Sequence, residues 1–195
     1  MGVRGAAVEN VDVNGLRCYY SLVDAVASDA ESLKRDALEF HGVTRSLFEQ
    51  TAIIPFRFPT VLASVAEVDA HLRERAPAYD AALKQFRDMV QMEMRFGLTE
   101  AQAADAGSGT EYLKTRAQRG FQLQQAISSC RVAIDKEVID WRQRESSHGV
   151  RCFVLLKREA VNKVQKQLQQ LRLERVVTAA VSGPWPPTEF FPDFA

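Results

Sequence analysis

A chain of 195 residues, 46% apolar and 26% charged, has enough material for one large domain or two small ones with a sizeable core. Its 25 basic and 25 acidic side chains cancel, which argues against a general binder of nucleic acid or of anionic membrane. No apolar run approaches the ~20 residues of a membrane helix, and the opening residues lack the apolar core of a signal peptide, so the expected location is cytoplasmic. Cys18, Cys130 and Cys152 are widely spaced and form no CxxC pair, so buried free thiols are expected rather than a zinc or redox site.

Residues 8–13 and 16–23 each alternate between apolar and polar. Asn14-Gly15 between them tolerates φ > 0 at both positions, which predicts a two-stranded hairpin. Ser28 or Asp29 opens a helix to about Thr51, with Leu33, Ala37, Phe40, Leu47 and Phe48 at helical spacing and Gly42 as a weak point. Ile53–Phe58 is short, apolar and interrupted by Pro55, which predicts an edge strand. Ser64-x-x-Glu67 is a capping box for a helix to about Arg75. Pro77 then suits the first turn of a second helical piece, Ala78 to Arg87.

Val90, Met92, Met94 and Phe96 alternate on one face of a half-buried strand. Leu98 to Gly109 reads as a loop, closed by a second capping box at Ser108-x-x-Glu111. Beyond it, apolar residues step by three or four as far as Trp141, which predicts one helix from about Gly109 to Glu145, roughly 50–55 Å long. Gly120 falls on its buried stripe, where close packing or a bend is expected. A turn at Ser146–Gly149 leads to a central strand, Val150–Leu156. A helix follows from Lys157 to Leu171, with Val161, Val164, Leu168 and Leu171 inward, and then a last strand, Leu173–Val181. The architecture is α+β: two small subdomains, residues 1–88 and 89–195, the second ferredoxin-like and containing the long helix.

Chemical signatures are sparse. His41, His71 and His148 lack ligand spacing, and Walker A, GxGxxG and Gly-x-Ser-x-Gly motifs are absent from the sequence. Gly107-Ser108-Gly109-Thr110 has no following Gly-Lys, so helix capping is the better account of Ser108. No RNP1-like run supports RNA recognition. These readings point to a protein that is not an enzyme and needs no cofactor or metal.

Two stretches invite an interaction role. Arg57, between Phe56 and Phe58, either pairs with a buried carboxylate or faces a partner. The closing run Gly183-Pro184-Trp185-Pro186-Pro187, followed by Phe190, Phe191 and Phe194, is expected to be stiff and polyproline-II-like. Its Trp185 either covers the protein's own sheet end or serves as an exposed anchor for a partner.

Three segments, in order, resemble the GvpL/GvpF family of gas vesicle proteins. Ile53-Ile54-Pro55-Phe56-Arg57-Phe58-Pro59-Thr60-Val61 is similar to its apolar-Pro-x-Arg-Phe-Gly-Thr segment, preceded by a helix carrying Phe40-His41. Gly107–Lys114 resembles its Ser-Gly-x-x-Tyr-Leu helix start, and Gly183–Phe190 its ending. The likeness spans roughly residues 10 to 191. It implies two α+β domains, the second a modified ferredoxin fold, and a non-catalytic role in assembling the vesicle shell. The partners it implies are the gas vesicle shell protein and other accessory proteins, with no nucleic acid and no membrane. A stand-alone adaptor of the same fold is the alternative.

Overall fold

Asn14 and Gly15, at φ 51° and 82°, form the two-residue turn that the Asn-Gly pair predicts. In a computed structural model they join β1 (Glu9–Val13) to β2 (Leu16–Tyr20), antiparallel, with Val13 opposite Leu16. The structure describes residues 1–25, 27–99, 109–146, 149–174 and 176–193, with 109–116 and 146 described by backbone alone. The expected loop at 98–109 therefore lies mostly outside the described residues. So do the Ser108 cap, His148 and Phe194.

The chain divides into two compact units, Met1–Arg87 with Phe190–Ala195, and Asp88–Glu189. In the first, the Asp29 side chain accepts from the Ser32 N–H and caps α1 (Ala30–Gln50), which runs unbroken through Gly42. The Ser64 hydroxyl caps α2 (Val65–Gln85) through the Glu67 N–H, while the Glu67 carboxylate accepts from the Ala63 N–H. Val13 and Leu16 of the hairpin pack on Leu72, Ala76 and Tyr79 of α2, with Ile54 and Cys18 at the margin.

Two expectations for this unit fail. Pro77 does not start a second helix but sits inside α2. It has no N–H for the Arg73 carbonyl, yet Leu72, Ala76, Tyr79 and Ala82 keep one buried stripe across it, and burial outweighs the lost bond. Ile53–Phe58 is not a strand. It contributes side chains instead: Phe56 lies 5.6 Å from the His71 ring and 6.5 Å from Tyr79, and Phe58 lies 5.4 Å from Phe40. His71 Nε2 and the Tyr79 hydroxyl are 2.9 Å apart, so that histidine has a hydrogen-bonding role within the unit.

The second unit runs β3 (Met89–Leu98), α3 (Gly109–Ile134), β4 (Val138–Ser146), β5 (Gly149–Lys157), α4 (Val161–Gln170) and β6 (Val177–Trp185). Its sheet is antiparallel in the order β4-β5-β3-β6. This β-α-β-β-α-β succession is compatible with a ferredoxin-like arrangement. The central β3 is more than half-buried: Val90, Met92, Met94 and Phe96 are enclosed on one face, and Gln91 and Glu93 on the other. Cys130 of α3 bears on Cys152 of β5, and Arg131 of α3 lies 5.6 Å over the Trp141 ring of β4, so α3, with α4 packed beside it, covers the Met92–Met94 face.

The long helix is the main correction. It ends at Ile134, about 39 Å from its start, and a single 3-10 turn at Asp135–Glu137 leads into β4. Ile134, Val138 and Trp141 are three and four apart, which imitates a helical stripe. After an irregularity between Val138 and Asp140 the side chains alternate instead, and Val138, Ile139 and Trp141 favour a pleated strand. Gly120 is exposed, with open space where a Cβ would stand, so it marks neither a bend nor a close approach. Leu123, Ile127, Cys130 and Ile134 do turn inward. The last strand continues past Val181 to Trp185.

Candidate functional site

The helix-free face of the second unit's sheet is where the closing run settles. In register across it stand Trp185 and Ser182 of β6, Gln91, Glu93 and Arg95 of β3, Leu155, Phe153 and Arg151 of β5, and Asp140, Arg142 and Arg144 of β4. Ser182 opposes Glu93 and Trp185 opposes Gln91, so two residues, Gly183 and Pro184, face the single Met92. That bulge explains how a proline enters the strand: the ladder is already interrupted there, and its missing N–H breaks nothing.

Gly183 adopts φ 119°, and a Cβ on it would stand 2.9 Å from both the Gln91 carbonyl oxygen and Met92 Sδ. Conformation and space both demand glycine. The Gly183–Pro184 peptide is cis, as is Phe58–Pro59.

Beyond Trp185 the chain is tied down at each step. The Trp185 indole N–H donates to Ser182 Oγ at 3.3 Å. Pro186 and Pro187 are buried, and the Thr188 N–H donates to the Pro186 carbonyl at 2.8 Å. The Glu189 N–H donates to Gln91 Oε1 at 3.0 Å, which gives a buried side-chain amide its partner. Arg142 donates to the Glu189 carbonyl, and Arg144 Nη2 lies 2.5 Å from the Glu189 carboxylate as an ion pair. The run is therefore held on its own sheet by β3 and β4. Trp185 itself remains half-buried.

Next to this clamp sits a charge cluster that sequence reasoning missed. Glu93 Oε1 accepts from Arg95 Nε and from Arg151 Nε, both at 2.7 Å. Burial pushes the Glu93 carboxyl up, but the two guanidiniums outweigh it and hold the group below its ordinary value of 4.5. Arg144 and Arg151 also lie 5.9 and 5.1 Å from the Phe153 ring, so the buried phenyl is roofed by cations. Strand alternation from Glu93 to Arg95 could have hinted at a same-face pair. Arg151 is 58 residues away, and only the register brings it in.

The remaining sequence candidates lie in the first unit. Arg57 is exposed, and among the described residues no ion pair joins it to a carboxylate. Its carbonyl accepts from Thr60 Oγ1 at 2.5 Å. Phe58 is half-buried against Phe40, and Phe190 is buried. The one nearly enclosed carboxylate among the unit's described residues is Asp36, also missed, which receives Nε and Nη2 of Arg4 at 2.8 Å.

Chemistry elsewhere is muted. Cys130 and Cys152 are buried, their thiols pushed up to about 11 and about 12, the latter also by its proximity to Cys130. They stay protonated at neutral pH and are poor nucleophiles. Cys18 is half-buried. Among the described residues no group of three or more His, Cys, Asp or Glu could hold a metal ion, and no helix is long and apolar enough to cross a membrane.

Comparisons with known proteins agree with one another. The chain's fold is similar to that of the crystal structure of the gas vesicle protein GvpF from Anabaena sp. PCC7120, with a TM-score of 0.79 at 9% identity, covering 98% of this chain and 88% of that one. It is also similar to the crystal structure of GvpF from Microcystis aeruginosa, with a TM-score of 0.73 at 12% identity over 98% and 91% of the two chains. At such identities the likeness speaks for the fold alone. A search of curated proteins returns no match. The model of the family "Gas vesicle synthesis protein GvpL/GvpF" matches residues 1–192, essentially the whole length, and the chain belongs to that family.

Proposed function

We propose that this chain is a non-catalytic accessory component of gas vesicle assembly, acting in the cytoplasm by binding the shell protein and other accessory proteins. Membership of the GvpL/GvpF family over residues 1–192 carries the reading. The site favours an assembly role, since the closing run is organised for rigidity. Part of Trp185 faces outward from a sheet that clamps the chain on both sides of it, and a large ring held this way loses little freedom on binding. Trp185 is assigned both roles considered for it, with its buried part covering the sheet end and its open part the contact.

Co-expression with a small apolar gas vesicle shell subunit, followed by pull-down on this chain, tests the proposal. Retention of the subunit by wild type and its loss in Trp185→Ala is expected. Trp185 is partly rather than fully buried, so that substitution costs about 3 kcal/mol, the low end for a large-to-small core change, and circular dichroism establishes that the variant is folded before binding is scored. Failure of folded wild type to retain the subunit refutes the binding role. Undiminished retention by Trp185→Ala removes Trp185 from the contact.

A further inference from the structure

The two edges of the four-stranded sheet are built differently. β4, at one edge, carries Asp140, Arg142, Arg144 and Glu145 among its nine residues, the charged border by which proteins keep edges from pairing. β6, at the other edge, carries no charge at all from Val177 to Trp185. Thr178, Ala179, Ala180 and Val181 are all exposed, and Val181 is 43% open to solvent. Every second N–H and C=O of such a strand points away from β3, its one strand partner among the described residues, towards where a further strand could pair.

The pattern of the strand names an occupant. Val177-Thr178-Ala179-Ala180-Val181 reads nearly the same in both directions. In an antiparallel pairing of the strand with its own copy, centred on Ala179, Val177 meets Val181, Ala179 meets Ala179 and Thr178 meets Ala180. No large side chain and no charge opposes its like. A two-fold axis needs this self-complementarity.

We propose that β6 is a self-pairing edge, through which two copies of this chain associate by antiparallel addition of Val177–Val181 about a two-fold axis at Ala179. The joined sheet would have eight strands, with the charged β4 edges outermost. A contact of one short strand covers less than the ~1,600 Å² of a standard interface, so the dimer is weak and exchanging, and its test must trap it.

Facing Cα atoms in an antiparallel pair are about 4.5–5.5 Å apart, within the span of a disulfide. Purified full-length Ala179→Cys in a Cys18→Ser background, which leaves only buried native thiols, is oxidised mildly and run without reductant. A matched chain with Ser128→Cys, exposed on α3, supplies the collision rate. Covalent dimer forming at least ten-fold faster at position 179 is expected. Adding Val181→Lys should abolish that excess while the unfolding midpoint of the second unit is kept. Equal rates at 179 and 128, or an excess that survives Val181→Lys, overturn the proposal. An edge that fails to self-pair, yet whose Val181→Lys variant loses a shell subunit, takes a foreign strand instead, and self-pairing is overturned. The measurement uses this chain alone, so its outcome is independent of whether the shell subunit binds.

Discussion

Replacing Gly183 by alanine tests whether the bulge is what seats the closing run. Two costs act together. A side chain at φ 119° lies outside the ordinary regions for L-residues, a penalty of about 1–3 kcal/mol. The new Cβ would also stand 2.9 Å from the Gln91 carbonyl oxygen and 3.3 Å from Met92 Cα. Met92 Sδ can swing away, but the two backbone atoms belong to the central strand and cannot retreat without loosening the β3–β6 ladder. Such overpacking adds about 1–3 kcal/mol. A total near 4 kcal/mol is expected. Both tryptophans, Trp141 and Trp185, lie in the second unit, so tryptophan fluorescence reports its unfolding selectively. With a urea slope of about 2 kcal/mol per molar, the midpoint should fall by about 2 M. A fall under about 0.3 M would refute the reasoning, because it would mean the bulge relaxes freely around a methyl group.

Gly120→Ala should act in the opposite direction, raising the stability of the second unit by up to about 1 kcal/mol, since the position is helical, exposed and open; the same fluorescence titration would show it, and a loss would contradict the described surroundings. Ser64→Ala should cost about 1 kcal/mol through the lost cap on α2, seen as reduced protection of the Glu67 amide in hydrogen exchange. Glu93→Gln should destabilise by about 1–3 kcal/mol at pH 7. Because the folded carboxyl sits below its unfolded value of 4.5, its contribution is complete above about pH 4.5 and disappears as pH falls through the folded value. The gap between wild type and Glu93→Gln should therefore narrow progressively as pH is lowered below about 4.5, and a gap of constant size would rule out the Arg95–Glu93–Arg151 cluster as its source.

How far the fold could be read from residues alone depended on whether the signal was local. Asn14-Gly15, the Ser64–Glu67 cap and the alternation of Val90, Met92, Met94 and Phe96 act within a few residues, and the turn, the helix start and the strand each appeared where expected. Misreadings arose where one pattern serves two structures. Ile134, Val138 and Trp141 fit a helix stripe and also span a turn into β4. Pro77 and Pro184 carry strong local preferences, but a continuous buried stripe in one case and a bulge in the other absorb them. The site was half legible. Gly183 to Pro187 stood out by composition, whereas the Gln91 amide that receives Glu189 and the arginines over Glu93 and Phe153 are assembled by strand register. The Arg4–Asp36 pair joins residues 32 apart in sequence, with no motif to announce it.

The last residues belong with the first unit, where Phe191 meets Phe86 ring to edge at 5.2 Å and Phe190 is buried. The second unit is thus written inside the first, between Arg87 and Phe190. On the ribosome, the usual rule that the N-terminal part finishes first cannot hold here. The hairpin, α1 and α2 emerge early, but they receive their final aromatic residues only after every strand of the other sheet has been made. Termination just after Glu189 would spare the whole β3–β6 sheet and leave the earlier-made unit incomplete.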